Sequence, residues 1–467
     1  MRAVVLAAGE GRRLRSVHPG PKPLFPLLGL PLIVRTFCTL REAGITDIVV
    51  VLGHRGDEVR EALGDGARWG VRLTYAECPD WEKGNGASVL AATPHVAGER
   101  SWLLLMADHL VTPELVKRVA ECAPPEGGVA VGVDFNPGRV PDLDEATKVQ
   151  TDRLASYTET AAAAAPAANA VATARGARPA VVAIGKDLTA FDGVDCGVFH
   201  ATGGLLDALR ECAAEGRHTL SDGVRRLAAA GRALACDIGD ARWCDVDDPA
   251  AVRYARRMLL EQLPTPRDGL ISRHLNRKLS VPISAFLARF AVTPNQLSFA
   301  TFLLTALAAG LFAVGAFAAG GVVAQVASVL DGVDGEIARL KFLRSRFGEL
   351  FDAILDRIGD GLLLAGLTYG TYAATESRWA LLFGALALIG SPLSMMIKDR
   401  YRAMTGDLYR PDVHDGWVRY LLANRDGRMF VLFVGGVFEL GLATLAVLAL
   451  TSLTQAVVRL IRIRKFL

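Results

Sequence analysis

Beyond about residue 295 the chain is dominated by apolar runs long enough to cross a bilayer, and nothing else in it limits the fold so severely. A bilayer core has no water to satisfy backbone amides, so such runs must be helices of about 20 residues each. They lie near residues 296–317, 320–340, 350–371 and 379–397, followed by 429–461, which is too long for one span. Glu439 and Gly441 break that last stretch, so six spans are expected. With the N-terminal half inside, the inner connections carry Lys341, Arg344, Arg346, Lys398, Arg400, Arg402, Arg410, Arg419, Arg425 and Arg428. The tail adds Arg462, Arg464 and Lys465, whereas the outer connections hold only Arg378. That asymmetry satisfies the positive-inside rule with both ends in the cytoplasm.

The first half reads differently. Apolar and charged residues are mixed there, and short strands such as Ile48 to Leu52, Trp102 to Met106 and Val129 to Val133 alternate with helical stretches. This spacing argues for an α/β doubly wound, Rossmann-like sheet over residues 1–250. All seven cysteines fall in this half without a CxxC pair, which fits reduced thiols. The N-terminus lacks the apolar stretch of a secretion signal, so a cytoplasmic domain is expected. A net charge of +3 gives no reason to expect nucleic acid. Residues 251–294 form the expected linker, with Pro264 and Pro266 stiffening it and an amphipathic, basic segment from Ile271 to Phe290 suited to a headgroup layer. Residues 295–467 are then an all-α membrane domain. An alanine-rich, proline-broken stretch at residues 160–180 carries no assignable chemistry.

The chemistry concentrates in LDGVDGEIARLKFLRSRFGELFDAILDRIGDG, residues 330–361. Asp331 and Asp334 are three apart and Asp352 and Asp356 four apart, so each pair shares a helix face. Carboxylates in apolar helices are costly and need partners, and four of them converging would suit hard divalent cations. Gly332, Gly335, Ala338 and Gly348 are small enough to let a bulky polar ligand approach. The pattern D-x-x-D-G-x-x-A-R, eight residues, G, three residues, D, three residues, D resembles the CDP-alcohol phosphatidyltransferase family. The resemblance implies that Asp331, Asp334 and Asp352 hold a metal pair, while Asp356 adds a ligand and takes the acceptor's proton. It implies nucleotide contact around Gly335, Ala338, Arg339 and Gly348, with Arg339 equally able to be structural. Lys398, Arg400, Arg402, Arg425 and Arg428 are candidates for an acceptor phosphate.

The soluble half offers LAAGEGRRL at residues 6–14, then Pro21-Lys22-Pro23-Leu24. Backbone N–H groups near Leu6, Ala8, Gly9 and Gly11 can face an anion, with Arg13 and Lys22 supplying charge. The missing third glycine excludes a dinucleotide fingerprint. This combination resembles sugar-phosphate nucleotidyltransferases, which implies metal ligands at Asp108 and at Asp245, with Asp247 as substitute. WEKGNGASVL (residues 81–90), DEATKV and ADH narrow the resemblance to inositol-1-phosphate cytidylyltransferases. Gly84, Asn85, Gly86 and Ser88 then border base and ribose, and Lys148 or Lys186 holds the inositol phosphate. The usual D-T-G and D-V-D-T-P-E-D motifs are altered here to Asp195-Cys196-Gly197 and DVDDPAA.

Together the halves resemble the bifunctional inositol-1-phosphate cytidylyltransferase/di-myo-inositol-phosphate-phosphate synthase family. The implied reactions join CTP and inositol 1-phosphate into CDP-inositol, then transfer phosphoinositol to a second inositol 1-phosphate with release of CMP. Magnesium or manganese is expected, one ion in the soluble site and a pair in the membrane site, since both metals suit oxygen ligands. A multi-pass protein of the cell membrane with both sites facing the cytoplasm, dimerising through its membrane half, is the accompanying expectation. A lipid acceptor, a different alcohol phosphate, or a transport or scaffold protein with a degenerate nucleotide sensor are the competing readings.

Overall fold

The computed structural model describes residues 1–154, 178–265, 268–407, 409–464 and 466, in two compact units, residues 1–257 and 258–467. Residues 160–177 of the alanine-rich stretch, Pro266 and Arg267 of the linker, and Lys465 lie outside the described residues.

In the first unit, unbroken apolar runs make fully buried strands, as expected of a sheet covered on both faces. The strands are β1 (Ala3–Ala7), β2 (Pro26–Leu27), β3 (Leu30–Pro31), β4 (Asp47–Leu52), β5 (Arg72–Glu77), β6 (Trp102–Met106) and β7 (His109–Val111). There follow β8 (Val129–Asp134), β9 (Lys148–Thr151), β10 (Val181–Gly185), β11 (Gly193–Ala201), β12 (Ala233–Asp237) and β13 (Trp243–Asp245). β5, β4, β1 and β6 are parallel neighbours. β11 continues the sheet antiparallel to β6, and pairs with both β8 and β9. The doubly wound expectation therefore holds, with a mixed rather than parallel outer half.

Helices α1 (Leu32–Glu42), α2 (Gly56–Leu63), α3 (Asn85–Ala91), α4 (Pro113–Glu121), α5 (Gly203–Ala214), α6 (Leu220–Ala229) and α7 (Pro249–Glu261) accompany these strands. Their starts obey capping chemistry. Thr112 accepts from Leu115 N ahead of Pro113, and Thr219 and Asp222 cap α6 reciprocally. The core packs Val4, Val49, Val51, Trp102, Leu104, Val131 and Phe199 with apolar faces of α3, α5 and α6.

The second unit is helical throughout: α8 (Arg277–Leu287), α9 (Pro294–Ala313), α10 (Phe317–Leu340), α11 (Arg346–Thr375), α12 (Arg378–Thr405), α13 (Arg425–Val437) and α14 (Gly441–Ile463). Among the described residues, α9, α10, α12 and α14 are long and apolar enough to cross a membrane, so this is a membrane-associated unit. α11 carries three aspartates in one stretch, and α13 is only 13 residues long, so neither qualifies by length and composition. The chain turns between α13 and α14 at Glu439, which has φ 55°. Small residues let helices touch: a Cβ on Gly366 or Gly370 of α11 would strike the carbonyl of Ala309 or Phe312 on α9. Glu336 of α10, fully buried, accepts from Arg277 at 2.5 Å, Ser280 at 2.7 Å and Ser284 at 2.5 Å. These bonds fasten the amphipathic helix α8 to the helix that bears Asp331 and Asp334.

Candidate active sites

The turn after β1 becomes an anion site because of how it meets the Pro-Lys-Pro segment. Gly11 has φ +65°, and a Cβ there would strike the Lys22 side chain, so only glycine serves. The resulting cleft, about 270 Å³, is lined by residues including Leu6, Gly9, Gly11, Arg13, Lys22 and Asp108. Lys22 is 8% exposed; its Nζ donates to Asp108 at 2.6 Å and to Asp247, and lies 3.9 Å from Asp245. Burial pulls its pKa down, but Asp108, Asp247 and Asp245 outweigh that and hold it above the ordinary lysine value.

Pairing of β7 with β13 sets Asp245 opposite His109 and so brings it to Asp108. His109 Nδ1 is 2.9 Å from Asp108 Oδ1 and 3.8 Å from Asp245 Oδ1, and its ring stacks on Trp243. Burial disfavours the imidazolium, yet Asp245, Asp108 and Asp195 together raise the pKa to about 9. For Asp108, burial is outweighed by Lys22 and His109, and its carboxyl sits well below the usual range. Asp245 moves the other way, to about 6, because burial is only partly opposed by His109. Its Oδ1 is buried without a hydrogen-bond partner among the described residues. One ligand atom each from Asp108, His109 and Asp245 fall within 4.8 Å of one another, a donor set that fits a divalent cation. Asp247 instead serves the cations: besides Lys22 it accepts from Arg13 at 3.0 Å.

Arg13 leads on to the expected substrate lysines. It lies 3.8 Å from Glu145, which pairs with Lys186 at 3.4 Å, and Lys148 donates to the Lys186 carbonyl at 2.8 Å. The stretch from Gly84 to Ser88 is outside the lining of the 270 Å³ cleft. Asn85 accepts from Leu220 N at 2.7 Å, and Ser88 is 4% exposed. A Cβ on Gly84 or Gly86 would come within 2.8 or 2.6 Å of the His218 carbonyl oxygen. Packing against that backbone leaves no room for a side chain at either position. Ala8 is likewise buried.

In the membrane unit, α10 and α11 bring carboxylate oxygens of Asp331, Asp352 and Asp356 within 4.8 Å of one another. Asp334 lies deeper, accepting from Ser298 of α9 and meeting Asp352. An all-oxygen set of this kind fits hard divalent cations. Among the described residues, Arg339 Nε and Nη2 are buried without hydrogen-bond partners, donors available to a phosphate or nucleotide oxygen. Gly335 lies against the Arg339 guanidinium, and Ala338 precedes it on α10. Gly348 is held by packing, since a Cβ would meet Ser345 Oγ at 3.0 Å and Asn295 Oδ1 at 3.1 Å.

The five basic candidates separate. Arg425 pairs with Asp331, with Asp356 at 2.9 Å and with Asp360 at 3.6 Å. Arg428 pairs with Asp360, and Lys398 reaches the neighbouring Asn424 at 3.4 Å. Arg402 pairs with Glu349 at 3.4 Å, while Arg400 lines a different groove with Arg357 and Asp399. Sequence reasoning passed over His109, Glu145, Asn424 and Asp360. Only Asp360 left a plain signal, because it extends the four-residue repeat of Asp352 and Asp356 by one more turn.

Residues 3–265 match the MobA-like NTP transferase domain family, and residues 291–410 match the CDP-alcohol phosphatidyltransferase family. The chain is 38% identical over 456 residues to the bifunctional IPC transferase and DIPP synthase of Rubrobacter xylanophilus, covering 97% of this chain and 94% of that protein. It is 31% identical to the protein of the same name from Thermococcus kodakarensis, over 96% of this chain and 93% of that one. With the Aquifex aeolicus counterpart the identity is 30%, over 92% and 91%.

Proposed function

This chain belongs to the family of bifunctional IPC transferases and DIPP synthases, and from that membership we propose a two-step synthesis carried out by one polypeptide. In residues 1–250, an oxygen of inositol 1-phosphate attacks the α-phosphorus of CTP, and pyrophosphate leaves as CDP-inositol forms. In residues 295–467, a hydroxyl of a second inositol 1-phosphate attacks the inositol-bearing phosphorus of CDP-inositol, and CMP leaves. The product is a phosphodiester that keeps one phosphate monoester.

Lys22 and Arg13 neutralise the CTP phosphates, oriented by Asp247, while N–H groups around Gly9 and Gly11 donate to the phosphate oxygens. Asp108 and Asp245 would hold one magnesium or manganese ion, with His109 bracing Asp108, so that Asp245 rather than Asp247 takes the ligand's role. Lys148 and Lys186 take the inositol phosphate. In the membrane half, Asp331, Asp334 and Asp352 would hold two divalent cations, Asp356 would add a ligand and receive the hydroxyl proton, and Arg339 contacts the nucleotide. When bound, these ions supply charge neutralisation on the diphosphate oxygens. Arg425, Arg428 and Lys398 face the acceptor phosphate, and this grouping of cations supports a phosphorylated acceptor over a lipid. Insertion as six spans, with both sites on the cytoplasmic side and a homodimer formed through the membrane half, completes the proposal.

The convergence of Asp331, Asp352 and Asp356 on one chain with the Lys22–Asp108–Asp245 cluster carries this reading. It is tested by CTP consumption across a panel of alcohol phosphates. Inositol 1-phosphate should be preferred over glycerol and choline phosphates, and indifference among them would refute the assignment.

A further inference from the structure

Asp352, Asp356 and Asp360 follow at four-residue intervals along α11, so all three lie on one face. Asp360 is nevertheless outside the group whose oxygens fall within 4.8 Å. Its partners are cationic instead. One oxygen pairs with Arg428 and lies 3.5 Å from Ser391 Oγ, and the other is 3.6 Å from Arg425 Nε. Arg428 is held from its other side by the Ala423 carbonyl at 2.8 Å.

Arg425 is bound two ways at once. It pairs with Asp331 and Asp356, the oxygens a divalent cation would require, and it also reaches toward Asp360. Among the described residues its Nε is buried without a hydrogen-bond partner, so a small rotation toward Asp360 would gain a bond now lacking. A guanidinium and a divalent cation cannot share the same two carboxylates at such range without strong repulsion. When the metal ligands are taken, Arg425 must leave them.

We propose that Asp360 is a positioning residue: it receives Arg425 when divalent cations occupy Asp331 and Asp356, and it holds Arg425 beside Arg428 as a clamp for the acceptor's phosphate. The clamp's ligand rests on the proposed function; the exchange of Arg425 between carboxylates does not. Asp360 thus links metal loading to acceptor binding. Before loading, Arg425 neutralises the acidic site; after it, the same side chain is delivered to the phosphate with its partner already in place, which lowers the cost of ordering it.

The test is a Mn²⁺ titration by electron paramagnetic resonance on the full chain, in an Asp108→Asn, Asp245→Asn background that silences the soluble site. Arg425→Gln removes the competing cation and should tighten Mn²⁺ binding. Asp360→Asn removes the alternative seat and should weaken it about tenfold, a coupling within the range of contacting residues. The decisive outcome is the combination: with Arg425→Gln present, Asp360→Asn should change Mn²⁺ affinity by less than about twofold, its effect running through Arg425. An equal weakening with and without Arg425 means that Asp360 acts on the metal by its own charge, and no weakening in either case means that it does not act. Either result overturns the proposal. In the otherwise native chain, at saturating Mn²⁺, Asp360→Asn should raise KM for inositol 1-phosphate as acceptor about tenfold and leave KM for CDP-inositol unchanged. A fall in kcat alone contradicts the clamp. A native chain that does not use inositol 1-phosphate as acceptor refutes the proposed function, and the Mn²⁺ cycle still judges the exchange. Retained Mn²⁺ binding shows that each variant is folded.

Discussion

Replacing Lys22 by alanine removes a cation that three carboxylates surround. The Lys22 side chain is 8% exposed, and its nearest partners, Asp108 and Asp247, are each 32% exposed. Removing one member of a fully buried pair costs about 3–5 kcal/mol. Water reaches both carboxylates here, so the expected loss of stability is about 2 kcal/mol, reduced further when a divalent cation is added. Catalysis should suffer more. A fixed charge aimed at phosphate oxygens as the pyrophosphate bond breaks is worth about 10²–10³ in kcat. The assay follows pyrophosphate from CTP and inositol 1-phosphate, and, separately, CMP from supplied CDP-inositol. Pyrophosphate release should fall by about two to three orders of magnitude while CMP release stays near the unsubstituted rate. Pyrophosphate release above about a tenth of normal, or an equal fall of both reactions in folded protein, would refute this reasoning.

Gly197→Ala should slow pyrophosphate release about tenfold and spare CMP release. Its φ of +75° resists any side chain, and a Cβ would strike the His109 ring that braces Asp108. Arg459→Ala should destabilise the membrane unit by about 3–5 kcal/mol, read as a drop in its thermal midpoint. Arg459 and Asp415 are both 0% exposed and 2.5 Å apart, so the remaining carboxylate loses its cation and keeps the Tyr409 hydroxyl. Arg402→Ala, at a half-exposed pair with Glu349, should change neither reaction more than about twofold.

Features set by local periodicity were legible in the residues alone. Five consecutive apolar residues define β1, and the four-residue spacing of Asp352 and Asp356 puts them on one face of α11. Glu439 marks the break between the last two helices for a local reason too, its left-handed backbone. What escaped depends on distant parts of the chain meeting. Strand register, not local sequence, sets Asp245 opposite His109 on β7. The close approach of Gly84 and Gly86 to the His218 carbonyl, far along the chain, is likewise absent from the local sequence. The basic residues of the membrane half look alike in a list of charges. Helix packing alone separates Arg425, on the aspartates, from Arg402, on Glu349.

Two chemically independent acid-centred sites on one polypeptide are most directly tested with Asp352→Asn, given CTP and inositol 1-phosphate and followed by phosphorus NMR. CDP-inositol should accumulate in step with pyrophosphate, and neither CMP nor the phosphodiester should appear. CMP at the unsubstituted rate, or loss of pyrophosphate along with CMP, would contradict the division.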